Sequence, residues 1–142
     1  MKTVVAGALG ECVHVAGVYN FLRLAENCGW KTIFLGPAVP MEKILEVAQK
    51  EKADLVAVSY RLTPETAERL LADFAEEADD LHSQGIQFAF GGTVPVAEKA
   101  KQLGFFDVIF DGTQTRDEIM AFLRGEKLSE SGMPVYPKNA VE

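Results

Sequence analysis

The chain has 142 residues, 48% of them hydrophobic and 25% charged, with a formal net charge of −7 and a pI of about 4.9. One domain is expected at this length, with enough apolar material for a core that needs no metal or disulfide staple. Lys and Arg are scattered along an acidic chain, so the electrostatic footprint of nucleic-acid binding is missing, and no apolar run approaches the roughly 20 residues of a membrane span.

The segment 1–9 carries one Lys, reads as a strand and has no cleavage-site context, so it is not a signal peptide and the chain is expected to be cytoplasmic. Cys12 and Cys28 offer neither a disulfide framework nor paired metal spacing, which fits a reducing compartment.

Short apolar, β-branched runs then alternate with amphipathic stretches. A strand is predicted at 3–8 and, after a long connection, a helix at 15–27. The strand at 32–35 precedes a helix at 41–51, where Ile44, Leu45, Val47 and Ala48 recur at helical spacing opposite Glu42, Lys43, Glu46 and Lys50. A strand at 55–59 leads to a helix at 64–84, capped by Thr63 with Pro64 at its first position. A strand at 88–90, a helix at 95–103, a strand at 108–110 and a helix at 115–124 complete the series. Gly29, Gly85 and Gly104 follow periodic stretches as helix stops.

This order predicts an α/β domain over 1–125: a three-layer, doubly wound, five-stranded parallel sheet of Rossmann-like, flavodoxin-like type, in the order 2-1-3-4-5. Residues 126–142 have two prolines and no periodicity, and are expected to form an exposed tail or a linker to a further domain.

Ligands of such sheets bind beyond the carboxyl ends of the strands, so the strand-to-helix connections hold the candidates. The first presents Gly10, Glu11, Cys12, Val13, His14, Val15, Ala16 and Gly17. It has neither the dense glycines nor the Lys-Ser/Thr ending of a phosphate loop, which argues against a nucleotide site. A lone loop histidine is ordinarily a surface or capping residue, yet neutral imidazole is the commonest protein ligand of transition metals. Cys12 as a nucleophile would need His14 as its base; a small buried filler is the simpler reading. His82, among Asp79, Asp80 and Ser83, is expected to be solvated, and Phe105 and Phe106 to enter the core rather than form a contact patch.

The connection resembles the Asp-x-His-x-x-Gly signature of the cobalamin-binding domains of methionine synthase, methylmalonyl-CoA mutase and glutamate mutase, through His14, Val15, Ala16 and Gly17. Cys12 stands where that family has Asp. Ser59-Tyr60-Arg61-Leu62-Thr63 is similar to the family's Ser-x-Leu-Leu-Thr stretch, and Gly91-Gly92 to its double glycine. The segment 35–40 and Asp111-Gly112-Thr113 are weaker echoes, and the likeness extends from Thr3 to Arg124. It implies that His14 binds cobalt in place of the cofactor's own dimethylbenzimidazole base. Gly17 and Ala16 then leave room for the nucleotide tail, Ser59 hydrogen-bonds the buried base, and Gly91-Gly92 let backbone approach the tail.

Two departures weaken the implied site. Cys12 is a poorer acceptor than Asp for the second nitrogen of His14, and Glu11 reaches that ring only if the loop bends. Arg61 replaces an apolar contact near the tail.

The resemblance implies a module carrying cobalamin, as adenosylcobalamin or methylcobalamin, to a partner catalytic barrel. The early first strand and Gly112-Thr113 tilt the expectation toward a component of an adenosylcobalamin-dependent mutase or aminomutase. A corrinoid protein of a methyltransferase system and a cofactor-free interaction or regulatory domain are the alternatives, and homo-oligomerisation stays open. A phospho-receiver or flavodoxin is disfavoured, because the first strand ends in neither an acidic cluster nor a Ser/Thr-rich phosphate cradle.

Overall fold

A computed structural model of the protein describes residues 1–126; the expected tail lies outside the described residues, apart from Glu126. The order is β1 (Thr3–Ala8), α1 (Ala16–Asn27), β2 (Lys31–Phe34), α2 (Met41–Lys50), β3 (Leu55–Tyr60), α3 (Pro64–Ser83), β4 (Gln87–Gly92), α4 (Val94–Leu103), β5 (Val108–Phe110) and α5 (Arg116–Leu123). All strand pairs are parallel and the sheet runs β2-β1-β3-β4-β5, as the alternation of elements predicts.

Successive strand residues face opposite sides of the sheet, and the apolar residues divide accordingly. Val5, Val56, Val58, Phe88 and Phe90 pack under α2, α3 and α4 with Ile44, Leu71, Phe74 and Val96. Val4, Ala6, Leu55 and Ala89 pack under α1 and α5 with Val18, Leu22, Trp30 and Leu123. Phe106 is buried in the first core, stacked on Phe74 with ring centroids 6.1 Å apart, and Phe105 packs against it. No helix among the described residues is long and apolar enough to cross a membrane.

Two expectations are corrected. The double glycine does not follow the fourth strand but ends it, with Gly91 paired to Ser59 and Gly92 to Tyr60. The ladder to β3 continues even though glycine has little strand propensity, because backbone pairing and not side-chain preference sets a strand's end. His82 is not solvated either: it is half-buried, its ring 4.7 Å from that of Phe105 and its Nε2 3.1 Å from Asp107. It falls four residues after Ala78 and eight after Phe74, on the core-facing stripe of α3. Asp107 also accepts the backbone N–H of Phe88 at 2.7 Å, and Asp54 that of Thr3 at 2.8 Å, so two carboxylates satisfy donors at the amino edge of the sheet.

Candidate functional site

A cavity of about 200 Å³ lies at the carboxyl edge of the sheet, between its strands and the pair α1 and α5. Its floor is a row of three alanines in register, Ala6 beside Ala57 and Ala57 beside Ala89. Methyl groups leave depth there that larger side chains would fill. Two residues further along the strands the same face reads Ser59, Gly91 and Phe110, again in register. Gly17, Asn20 and Phe21 of α1 and Ile119 of α5 form the opposite wall, and the Phe21 and Phe110 rings lie 5.8 Å apart.

Ser59 has the most unusual environment in this wall. Its hydroxyl is buried and makes no hydrogen bond. An unsatisfied buried hydroxyl costs about 1–3 kcal/mol, a cost that a polar ligand atom in the cavity would remove. The two glycines do different work. A Cβ on Gly91 would meet only the Phe110 carbonyl oxygen at 4.0 Å, so the missing side chain is open cavity. A Cβ on Gly92 would sit 2.7 Å from the Tyr60 carbonyl oxygen and 3.0 Å from the Phe90 ring, so this glycine is required by the protein's own packing.

His14 is exposed and lines the same cavity. The turn beneath it is tied down by backbone hydrogen bonds: Leu9 N–H donates to Ser59, Gly10 N–H to Val39, and Ala38 N–H to Cys12, at 2.8–2.9 Å. Gly10 has φ +68, and a Cβ there would also press on Leu70 at 3.0 Å, so the turn needs glycine. The faint echo in 35–40 thus has a mechanical role, as the strip of backbone that holds the histidine turn.

Cys12 is fully buried, with its Sγ 3.6 Å from His14 Nδ1. A thiol S–H donating to Nδ1 leaves the ring proton on Nε2, whereas sulfur accepting from Nδ1–H leaves the Nε2 lone pair facing outward. Only the second arrangement offers a metal ligand at Nε2. Burial, followed by the neighbouring Cys12, pushes the Tyr60 phenol above its usual pKa, so its proton stays in place below this turn.

Of the residues singled out in the sequence, His14, Gly17, Ser59, Arg61, Gly91, Gly92 and Gly112 line the cavity. Glu11, Val13, Ala16 and Leu62 are exposed outside its lining, and Val15 packs on the core. Thr63 is the N-cap of α3 and accepts the N–H of Thr66. Thr113 turns away, its hydroxyl donating to Asp111 at 2.6 Å. Burial raises the pKa of that carboxyl, but hydrogen bonds from Thr113 and Gln114 and the nearby Lys101 outweigh it and hold the group below the ordinary carboxylate range. Asn20, Phe21 and Ile119 were not legible as site residues. Asn20 and Phe21 follow Gly17 at helical spacings of three and four, the one local signal that could have found them.

Residues 2–120 match the family model described as B12 binding domain. The chain belongs to the B12-binding domain family and binds cobalamin. The search of curated proteins found no match. Among solved structures, a cobalamin-binding protein from Desulfitobacterium hafniense superposes with a TM-score of 0.71 at 20% identity, over 87% of this chain and 58% of that one. The methanol:cobalamin methyltransferase complex of Methanosarcina barkeri gives 0.62 at 24% identity, over 87% and 46%, and its monomethylamine corrinoid protein 0.67 at 20%, over 86% and 57%. This chain therefore spans between 46% and 58% of the length of those three. A signal receiver domain from Mycobacterium tuberculosis shares the architecture at a TM-score of 0.54 and 15% identity. At such identities the likenesses establish the fold.

The residues present suit a corrinoid. Among the described residues no three His, Cys, Asp or Glu side chains are grouped to hold a metal ion, so a metal at His14 would have to arrive with its other ligands in place, as cobalt does in its ring. An apolar cavity with one unsatisfied hydroxyl suits a flat heteroaromatic base.

Proposed function

We infer that this chain is a cofactor carrier, with the nucleotide tail of cobalamin in the cavity, His14 as the cobalt ligand, and the corrin presented to a separate catalytic barrel. The buried, unpartnered Ser59 hydroxyl in a mostly apolar cavity carries this reading. His14 on the same cavity would set the cobalt over its mouth, with Cys12 orienting the imidazole through Nδ1. Val13, Leu62 and Val94, all exposed and apolar, stand in or beside three different strand-to-helix connections, where a corrin macrocycle would cover them. Bound cobalamin supplies a cobalt–carbon bond, and this chain's part is to hold, orient and deliver it. The free cysteines suit a reducing compartment such as the cytoplasm.

Methyl transfer is the reaction we favour. Two of the similar structures are a methanol:cobalamin methyltransferase complex and a monomethylamine corrinoid protein, while the mutase expectation rests on the early first strand and on Gly112-Thr113, whose threonine is engaged with Asp111. Purification under dim light, extraction of the corrinoid and mass analysis discriminate the two: a methyl upper ligand fits the carrier of a methyltransferase, an adenosyl group the mutase component.

The carrier reading itself is tested by mixing the protein with hydroxocobalamin and desalting it. A retained red chromophore is expected, with a visible spectrum that shifts in His14→Ala. Loss of colour on desalting the wild type would refute cobalamin carriage, and an unshifted spectrum in the variant would remove His14 as the ligand.

A further inference from the structure

Among the described residues, Arg61 is the only formally charged one lining the cavity. Among the described residues it makes no ion pair, which is also true of Lys2, Arg23, Lys43, Lys50, Lys52, Arg69 and Arg116, but none of those seven lines this cavity. A solvated surface arginine would account for the exposure and for the missing ion pair. It would not account for a lone cation on the wall of an apolar cavity, two residues beyond a buried hydroxyl that also lacks a partner.

The order along the chain supplies the geometry. Ser59 and Arg61 flank Tyr60, which is buried in the opposite core; Ser59 and Tyr60 end β3, and Arg61 is the first residue beyond it at the carboxyl edge. Two residues of extended chain advance about 7 Å, roughly the reach from a nucleotide's base across its ribose to its phosphate. A base seated at Ser59 therefore brings its phosphate to Arg61. Cobalamin carries one phosphodiester in its nucleotide tail, and a chain of net charge −7 repels that anion unless a cation meets it. Guanidinium is the side chain best shaped to do so, offering paired N–H donors to two phosphate oxygens.

We propose, on the basis of the cobalamin reading, that Arg61 anchors the phosphodiester of the nucleotide tail, so that a charge-assisted contact stands here in place of the apolar one in the related motif. Arg61 is exposed, so its substitution leaves the fold intact, which a thermal melt verifies.

The test is a titration of wild type, Arg61→Leu and Arg61→Lys with hydroxocobalamin and with two fragments of its tail, α-ribazole and α-ribazole 5′-phosphate. Wild type is expected to favour the phosphorylated fragment, and Arg61→Leu to lose that preference and bind cobalamin on the order of tenfold more weakly. Arg61→Lys should fall between, with its remaining affinity more sensitive to salt. Ser59→Ala should weaken both fragments alike. Retention of cobalamin by Arg61→Leu at wild-type affinity, or an unchanged preference for the phosphorylated fragment, overturns the proposal while leaving cobalamin binding in place. If wild type itself retains no cobalamin, the underlying reading fails and the anchor with it.

Discussion

At the scale of single residues, the site is a set of polar atoms left unfinished by the fold. Ser59 Oγ has no partner, and His14 Nε2 none among the described residues. Each is supported by something that is finished: β3 pairs on both sides of Ser59, and the His14 turn hangs on backbone bonds to Val39 and Ser59. A group kept unsatisfied at a cost to stability points to binding. Ser59→Ala should therefore stabilise the empty protein by about 1 kcal/mol and weaken cobalamin binding by roughly tenfold. Chemical denaturation beside a cobalamin titration checks both signs, and a less stable variant would show that the hydroxyl serves the fold.

At the scale of elements, the end of β4 separates a structural demand from a ligand's demand within two adjacent residues. Gly92→Ala drives a Cβ against the Tyr60 carbonyl oxygen, and the expected cost is roughly 3 kcal/mol with weak expression. Gly91→Ala meets no such obstacle and removes a flexible strand residue, so its stability should hold or rise by about 0.5 kcal/mol, while the added methyl takes up cavity space and lowers affinity for cobalamin. Melting temperatures and binding isotherms of the pair should diverge in this pattern; equal loss of stability in both would refute the division. The local chemistry of α3 was legible in advance because Thr63 and Pro64 act on their own backbone. The reciprocal cap of α5, with Thr115 and Glu118 each accepting from the other's N–H, is equally local.

At the scale of the whole molecule, the cavity lies between the sheet and the pair α1 and α5, over small residues from three strands, while the pair is tied down at the other end of the sheet. There Trp30 Nε1 donates to the Leu123 carbonyl at 2.8 Å, joining the start of β2 to the end of α5. A ligand filling the open end binds only the folded chain. Hydroxocobalamin at 100 times its dissociation constant should thus stabilise the protein by about 2.7 kcal/mol, a rise in Tm on the order of 10 °C. Scanning calorimetry measures it, and an unmoved transition at saturating cofactor would contradict tail burial in this cavity.

The amino-acid sequence alone determined the alternation of strands and helices, the strand order, most helix boundaries and the histidine turn, because periodicity, caps and turn residues act within a few neighbours along the chain. Only the tertiary structure decided that Ala6, Ala57 and Ala89 form one floor, that Gly91 and Gly92 have opposite duties, and that His82 packs half-buried against Phe88 and Phe105. Those facts depend on register between strands and on which face of a helix meets the sheet, relations between residues tens of positions apart that no local spacing records.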